Sequence, residues 1–225
     1  MTINAINALE NSDVIVGYHV YIDLIKERFA DKEFYQTPMM GEVDRCKKAI
    51  EIAKTGKTVS VISSGDSGVY GMATLVYELA EADIEIEVVA GVTAALSGGA
   101  VLGAPIAHDF SLISLSDLLT PYQLIKKRID AVSSADMCIV IYNPSSKKRS
   151  AYLSECVDII IKNQGEDIVC GVVRNIGREN TEYKLMTLKE LKDYPVDMFC
   201  TVFIGNSQTK IINNKMITTR GYKIV

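Results

Sequence analysis

An acidic residue in a glycine-rich turn is the first candidate for a ligand-binding residue in this sequence. Residues 59–62 form a short β-branched run that is typical of a buried strand. The run leads into a turn that contains Gly65, Asp66 and Gly68, and an apolar helical pattern opens at Val69. A strand, a glycine turn and a helix in this order form the place where α/β proteins bind ligands.

The chemistry of this turn limits the class of ligand. The sequence has neither the lysine of a P-loop nor a complete Gly-x-Gly-x-x-Gly fingerprint at the turn. The carboxylate of Asp66 disfavours a phosphate and favours a ligand that carries hydroxyls or positive charge. The alternative is that Asp66 caps the following helix, and the turn by itself favours this alternative.

A second glycine turn follows a second strand pattern. Residues 84–89 alternate strictly between apolar and charged side chains, which predicts a strand with one face in water. Residues 90–95 then lead into a helix of small residues that includes Gly98 and Gly99. Glycines weaken a helix by roughly 1 kcal/mol each relative to alanine, so either a neighbouring element or a ligand is expected to approach closely there. Both glycine turns are expected at the same edge of a parallel sheet.

Alternating strand and helix patterns place the chain in the α/β class, with two domains at residues 1–109 and 110–225. Helices are predicted at residues 2–9, 18–29, 42–54, 69–80, 152–163 and 188–194, and another helix opens at Pro121 with Thr120 as its cap. Strands are predicted at residues 13–17, 59–62, 84–89, 137–142, 168–174 and 198–204.

Composition excludes several classes of protein. The 225 residues carry a net charge of −4 without a basic stripe, which argues against nucleic-acid binding. Five scattered cysteines without a Cys-x-x-Cys pair indicate reduced thiols. The sequence has only two histidines, which argues against a protein-bound zinc site. No apolar run reaches membrane-spanning length. We therefore expect a cytoplasmic protein with no membrane, nucleic-acid or protein-bound metal partner.

Four segments, in this order, resemble the tetrapyrrole methylases, which transfer methyl groups from S-adenosylmethionine to corrin precursors and related substrates. The segments are Ser63-Ser64-Gly65-Asp66, Gly91-Val92-Thr93-Ala94, Ile141-Tyr142-Asn143-Pro144 and Val173-Arg174-Asn175. Within that family, residues 108–121, with Ser-Leu-Ser-Asp at 114–117, and residues 219–222 are similar to the precorrin-3B C17-methyltransferases. The resemblance covers essentially the whole chain.

The resemblance implies a fold and an activity. The fold has a mostly parallel sheet in the N-terminal domain, a mixed sheet in the C-terminal domain, and S-adenosylmethionine in the cleft between them. The implied activity is C-methylation of a corrin precursor at C17, coupled to ring contraction, in cobalamin biosynthesis. A homodimer acting on a tetrapyrrole is implied as well, and any cobalt arrives inside the substrate. A methylase of another corrin position and a non-catalytic S-adenosylmethionine-binding module are the alternatives.

The resemblance also assigns residues by their position in the matching segments. Those assigned to the cofactor are Ser64, Gly65, Asp66, Val69, Thr93, Ala94, Asn143, Ile176 and Gly177. Candidates for a base that assists ring contraction are Asp117 and His108, with Asp109 and Ser116 as lesser candidates. Ser116, Arg174 and Arg178 are assigned to the substrate, since arginine binds the carboxylates of acetate and propionate arms in bidentate fashion.

Each assignment has a structural alternative. Asp117 is equally consistent with a hydrogen bond at the turn before Thr120, and His108 with a satisfied histidine between the domains. Surface ion pairs are the alternative for Arg174 and Arg178. Thr93 is a good helix cap by itself.

The start of the chain departs from the family pattern. Relatives begin with a strand and a Gly-x-Gly-Pro-Gly turn before a helix that matches residues 2–9. We therefore expect that the first domain as numbered here lacks its first strand. The sequence predicts that the natural protein carries an N-terminal extension of roughly 10–20 residues, enough for one strand and its turn.

Overall fold

The computed structural model describes residues 1–146 and 148–223. The chain forms two compact units, Met1–Thr93 and Ala94–Val225, whereas the sequence placed the division near Asp109. The difference arises because residues 94–104 join the second unit. The helix Ala94–Leu102 packs on strands of that unit, and the short strand Gly103–Ala104 pairs there with Lys215–Thr218.

The first unit combines a three-stranded sheet with four helices. Its elements are α1 (Ile3–Glu10), β1 (Val14–Tyr18), α2 (His19–Asp23), β2 (Glu33–Thr37), α3 (Glu42–Ala53), β3 (Val59–Val61) and α4 (Ala73–Leu79). The strand order is β2-β1-β3, and both pairings are parallel. This agrees with the predicted parallel sheet.

The central strand β1 shows why the sheet is covered on both faces. Val14 and Val16 pack with Ala49 of α3, whereas Ile15 packs with Leu9 of α1 on the opposite face. Because successive side chains of a strand point to opposite faces, an unbroken Val-Ile-Val run requires apolar cover on both sides.

The second unit contains a mixed sheet and a smaller one. Its elements are α5 (Ala94–Leu102), β4 (Gly103–Ala104), β5 (Phe110–Ser114), α6 (Tyr122–Ser134), β6 (Cys138–Tyr142), α7 (Tyr152–Gln164), β7 (Val169–Arg174), β8 (Glu182–Thr187), α8 (Leu188–Leu191), β9 (Cys200–Ile204), β10 (Thr209–Ile212) and β11 (Lys215–Thr218). The five-stranded sheet has the order β5-β6-β9-β7-β8, and the three-stranded sheet has the order β10-β11-β4.

Strand directions in the five-stranded sheet create one shared edge. β5 and β6 are parallel, while β9 runs antiparallel to both β6 and β7. The strands β5, β6 and β7 therefore end at the same edge of the sheet. Residues of α6, α7 and α8 cover one face of this sheet, and residues of α5 cover the other.

Three element predictions in the first unit were wrong. The helix expected at residues 18–29 ends at Asp23, and residues 84–89 form no strand because their backbone has no ladder partner among the described residues. The helix expected from Val69 begins at Ala73, since Tyr70 has a left-handed φ of 55° that interrupts a helix. None of the described helices combines the length and the apolar character needed to cross a membrane.

Candidate functional site

The first glycine loop, residues 63–72, connects the end of β3 to α4. Gly65 and Tyr70 adopt φ angles of +78° and 55°, which turn the chain back on itself. The hydroxyl of Ser63 accepts a hydrogen bond from the N–H of Met72 at 3.1 Å and so joins the two ends of the loop. Ser64 is exposed in this loop.

Three backbone N–H groups hold the carboxylate of Asp66. Oδ1 accepts from Gly68 at 2.8 Å and from Val69 at 3.1 Å, while Oδ2 accepts from Gly91 at 2.8 Å. The hydrogen bond from Gly91, followed by that from Gly68, lowers the pKa of Asp66 below its ordinary value. Asp66 therefore accepts hydrogen bonds within the turn and does not cap the following helix, which was the alternative offered by the sequence. It also connects the first loop to Gly91.

The second glycine loop, residues 90–93, lies directly against the first. A Cβ atom on Gly91 would overlap the carbonyl oxygen of Gly65, so the two backbones meet where a side chain has no room. The hydroxyl of Thr2 donates to the carbonyl oxygen of Ala90 at 3.0 Å. Thr93, at the end of this loop, is buried. The structure therefore brings the predicted cofactor residues of the first unit into one cluster.

A buried arginine that the sequence analysis missed supports this cluster. Arg45 is 3% exposed; its Nε donates to Thr37 Oγ1 at 2.9 Å and its Nη2 to the carbonyl oxygen of Pro38 at 3.3 Å. Its Nη1 lies 3.8 Å from the sulfur of Met72, at the end of the first loop. Nothing in the local pattern separates a buried arginine of α3 from one that faces water.

The shared edge of the second unit carries most of the other predicted residues. Two asparagines follow directly on β6 and β7, and both adopt left-handed backbone, with φ of 51° at Asn143 and 54° at Asn175. Nδ2 of Asn143 donates to Ser114 Oγ at 2.9 Å, which connects the ends of β6 and β5. Asn143 is exposed, as a ligand contact requires.

Helix α5 begins at this same edge. The N–H of Ala95 donates to the hydroxyl of Tyr142 at 2.7 Å, and Ala94, the first residue of the helix, is half-buried. Ile176 packs in the cluster that contains Ala95. Gly177 has a φ of +73° and open space around the position of a Cβ atom, so its backbone is accessible.

Asp117 is held by two residues that sequence reasoning missed. Its Oδ2 accepts from the hydroxyl of Tyr152 at 2.8 Å, and its Oδ1 lies 3.7 Å from Nε of Arg149. Arg149 also donates through Nη1 to the carbonyl oxygen of Leu115 at 2.9 Å. The hydrogen bond to Asp117 raises the pKa of Tyr152, so the tyrosine stays protonated.

The remaining acid–base candidates have other hydrogen-bond partners. His108 is exposed, and its Nδ1 accepts from the N–H of Asp109 at 3.0 Å. Within residues 1–146 and 148–223, no hydrogen bond or ion pair joins His108 to Asp117. The N–H of Ser116 donates to Ser114 Oγ at 3.2 Å.

The two arginines assigned to the substrate differ in their partners. Arg174 forms ion pairs with Asp197 at 2.9 Å and Glu182 at 3.5 Å, and the hydrogen bond to Asp197 raises its pKa. The guanidinium of Arg178 lies 5.5 Å from the ring centre of Phe199. Among the described residues Arg178 has no carboxylate within ion-pair distance, so it is the freer of the two to bind an acid.

Residues 1–192 match the family model for the Tetrapyrrole (Corrin/Porphyrin) Methylases. The chain belongs to this family. A methylase of Salmonella typhimurium, named "Probable cobalt-factor III C(17)-methyltransferase", is 43% identical over 100% of this chain and 94% of its own length. The "Cobalt-factor III methyltransferase" of Priestia megaterium is 41% identical over 99% of this chain, and the chain spans 43% of that longer protein.

Solved structures of other methylases have the same fold. The methyltransferase CobJ superposes with a TM-score of 0.90 at 31% identity, over 97% of this chain and 93% of CobJ. Uroporphyrin-III C-methyl transferase from Thermus thermophilus, complexed with S-adenyl homocysteine, has a TM-score of 0.70 at 16% identity, over 91% and 86% of the two chains. The second likeness concerns the fold alone. The predicted family and the predicted pair of parallel and mixed sheets are thus confirmed, and methylases of this family use S-adenosylmethionine.

Proposed function

We propose that this methylase transfers a methyl group to C17 of cobalt-factor III, coupled to ring contraction, in cobalamin biosynthesis. The 43% identity to the Salmonella typhimurium protein, over nearly the full length of both chains, carries the proposal. Relatives whose names contain cobalt-factor III are 39–43% identical, whereas those named CobIJ are 32% identical. The names of the more similar relatives therefore support the cobalt-containing substrate.

The two glycine loops of the first unit fit the methyl donor. S-adenosylmethionine, when bound, supplies a methyl group that is already activated by a positively charged sulfonium. Residues 63–72 and 90–93 contain one carboxylate and no lysine or arginine, a charge pattern that favours such a ligand over a phosphate. Since both oxygens of Asp66 accept backbone hydrogen bonds, this residue acts by shaping the loops and by its charge at longer range.

Direct contacts are then assigned to other groups of each unit. In the first unit these are the hydroxyl of Ser64 and the backbone of Gly65, with Val69 and Thr93 beside them. In the second unit they are Ala94, Asn143, Ile176 and Gly177. Positioning lowers barriers of this kind by about 7–11 kcal/mol, whereas one general base contributes about 10²–10⁴-fold. We therefore expect the shape of the site and its exclusion of water to contribute most of the rate enhancement of methyl transfer.

Ring contraction is where an acid–base group contributes. Oδ2 of Asp117 is occupied by Tyr152, but its Oδ1 lies 3.7 Å from the nearest cation, beyond hydrogen-bond distance. This oxygen is our candidate to accept a proton from the substrate, with His108 as the second candidate. Arg178 is the better candidate for a substrate carboxylate, and Ser116 and Arg174 are assigned to the same substrate.

The test is an assay with two substrates. The protein is incubated with S-adenosylmethionine and either cobalt-factor III or its metal-free counterpart, and the product is read by mass and by NMR of the methylated carbon. We expect one added methyl group, at C17, with the cobalt form preferred. Methylation at a different carbon, or saturable cofactor binding without turnover, would contradict the proposal and support one of the alternatives.

We also infer that the chain works in the cytoplasm as a homodimer, without a nucleic-acid, membrane or protein-bound metal partner. The net charge of −4 supports the absence of nucleic acid, and the family resemblance supports the dimer. Sedimentation should give twice the 24.7 kDa mass of the chain.

A further inference from the structure

Two neighbouring leucines project into solvent between β5 and α6. Leu118 is 77% exposed and Leu119 is 98% exposed, the highest value for a large apolar side chain among the described residues. A single exposed leucine is ordinary in a folded protein. Two in succession, directly after the predicted functional residue Asp117, indicate a surface that binds an apolar partner.

The loop that carries these leucines, residues 115–121, is anchored at its base. Leu115 is fully buried, and its carbonyl oxygen accepts from Nη1 of Arg149 at 2.9 Å. Asp117 accepts from Tyr152 at 2.8 Å, and the ring of Tyr152 stacks on that of Tyr122 with 3.7 Å between centroids. The leucines therefore belong to a loop held in place from two sides.

The position of the loop identifies its occupant. Residues 115–121 follow β5, at the edge of the sheet where Asn143 and Ile176 follow β6 and β7. A corrin precursor is a broad ring system with apolar faces and carboxylates on its rim, so it needs apolar contacts on its face and cations at its edge. We propose that Leu118 and Leu119 bind the apolar face of the tetrapyrrole, and that Tyr152 and Arg149 position them through Asp117 and Leu115. The proposal rests on the proposed function for the identity of the macrocycle.

The test measures tetrapyrrole binding separately from turnover. Leu118→Ser, Leu119→Ser and the double variant are titrated with the tetrapyrrole by absorbance and with S-adenosylmethionine by calorimetry. Each substitution should weaken tetrapyrrole binding about tenfold, because a leucine loses its apolar burial. Cofactor affinity and sedimentation mass should stay unchanged. Ile211→Ser with Ile212→Ser is the matched control, since both isoleucines are exposed on β10.

A second variant tests the anchor. Tyr152→Phe removes only the hydroxyl and should raise KM for the tetrapyrrole while leaving KM and calorimetric affinity for S-adenosylmethionine near wild type. A general loss of stability would instead change all of these together.

Some outcomes overturn the inference. Unchanged tetrapyrrole affinity in a folded double variant does so, and so does a drop in sedimentation mass, which would show that the leucines bind a second copy of the chain. A wild-type protein that binds the tetrapyrrole but does not methylate C17 refutes the proposed function alone, because the titration still decides the role of the leucines.

Discussion

At the scale of single residues, the carboxylate of Asp66 connects the two glycine loops through hydrogen bonds. Asp66→Asn keeps the size of the side chain but places an N–H₂ group or a neutral oxygen against the N–H of Gly91. A hydrogen bond to a charged group is worth about 1.5–3 kcal/mol, so we expect S-adenosylmethionine affinity to fall about ten- to hundredfold by calorimetry.

The matched control for that change is Asp31→Asn. Asp31 is exposed, and its side chain forms an ion pair with Lys32 at 3.4 Å. Cofactor affinity should not change in this variant. Equal affinity in Asp66→Asn and wild type would contradict the role of Asp66 in joining the loops.

Asp117 offers a second test at this scale. Asp117→Asn retains an oxygen that accepts the hydrogen bond from Tyr152, so the loop stays anchored while the charge and the basic oxygen are lost. We expect kcat to fall, or ring contraction to stall, with nearly normal cofactor affinity. Mass analysis of intermediates in a single turnover measures this. Normal turnover would mean that Asp117 has only a structural role, which is the alternative that the sequence analysis gave for this residue.

At the scale of elements, two neighbouring glycines of α5 should behave differently. A Cβ atom on Gly98 would lie 2.8 Å from Cδ1 of Ile176 and 2.9 Å from Cζ of Phe203, whereas one on Gly99 would meet its nearest neighbour at 3.7 Å. Both gain helix propensity as alanine, but only Gly98→Ala overpacks the contact between helix and sheet. We expect Gly98→Ala to be less stable than Gly99→Ala by about 1–3 kcal/mol.

Thermal and urea unfolding of the two variants measure the difference. Equal stabilities would mean that α5 shifts away from β9 at little cost. The sequence left two explanations for these glycines, the close approach of a neighbouring element or of a ligand. At Gly98 the structure shows the close approach of a neighbouring element.

Most elements with strong local signals were predicted, with residues 84–89 as an exception, and several strands that depend on a partner were not. Thr2 accepts from the N–H of Ala5 as the cap of α1, and the predicted helices at α3 and α7 lie within one or two residues of the observed ones. Strands β4, β5, β10 and β11 were missed, and so were β2 and β8 at the edges of their sheets. The strands β2 and β8 form because β1 and β7 offer free backbone groups, which no local pattern reveals.

At the scale of the whole molecule, buried thiols link stability to pH. Burial raises the pKa of Cys156 to about 12 and of Cys200 to about 11, against an ordinary value of 9.0. The folded protein keeps these protons while the unfolded chain releases them above pH 9. The free energy of unfolding should therefore fall as the pH rises through this range.

Urea unfolding at several pH values between 8 and 11 measures this slope. Cys156→Ala removes one thiol and should flatten the slope, whatever it does to the absolute stability. An identical slope in variant and wild type would show that Cys156 does not contribute.

Several predictions about the whole molecule stay predictions: the N-terminal extension, the cofactor cleft between the domains, and the homodimer. The division of the chain shows why boundaries are hard to place from sequence. Ala104 and Pro105 interrupt the local pattern, but α5 belongs with the sheet of the second unit because Ala95 and Leu102 pack there.

The sequence by itself determined the family, the α/β class and the segments of the candidate site. Glycine turns, strand-end motifs and the Val-Ile-Val run of β1 are local patterns, and neighbours along the chain suffice to read them. Only the tertiary structure decided what each side chain does. Asp66 meets Gly91 across 25 positions and Asp117 meets Tyr152 across 35, while Arg45 of α3 reaches Met72 of the first loop. Hydrogen bonds act over about 3 Å in space, so partners that are distant in the chain are fixed by packing and leave no mark on local spacing.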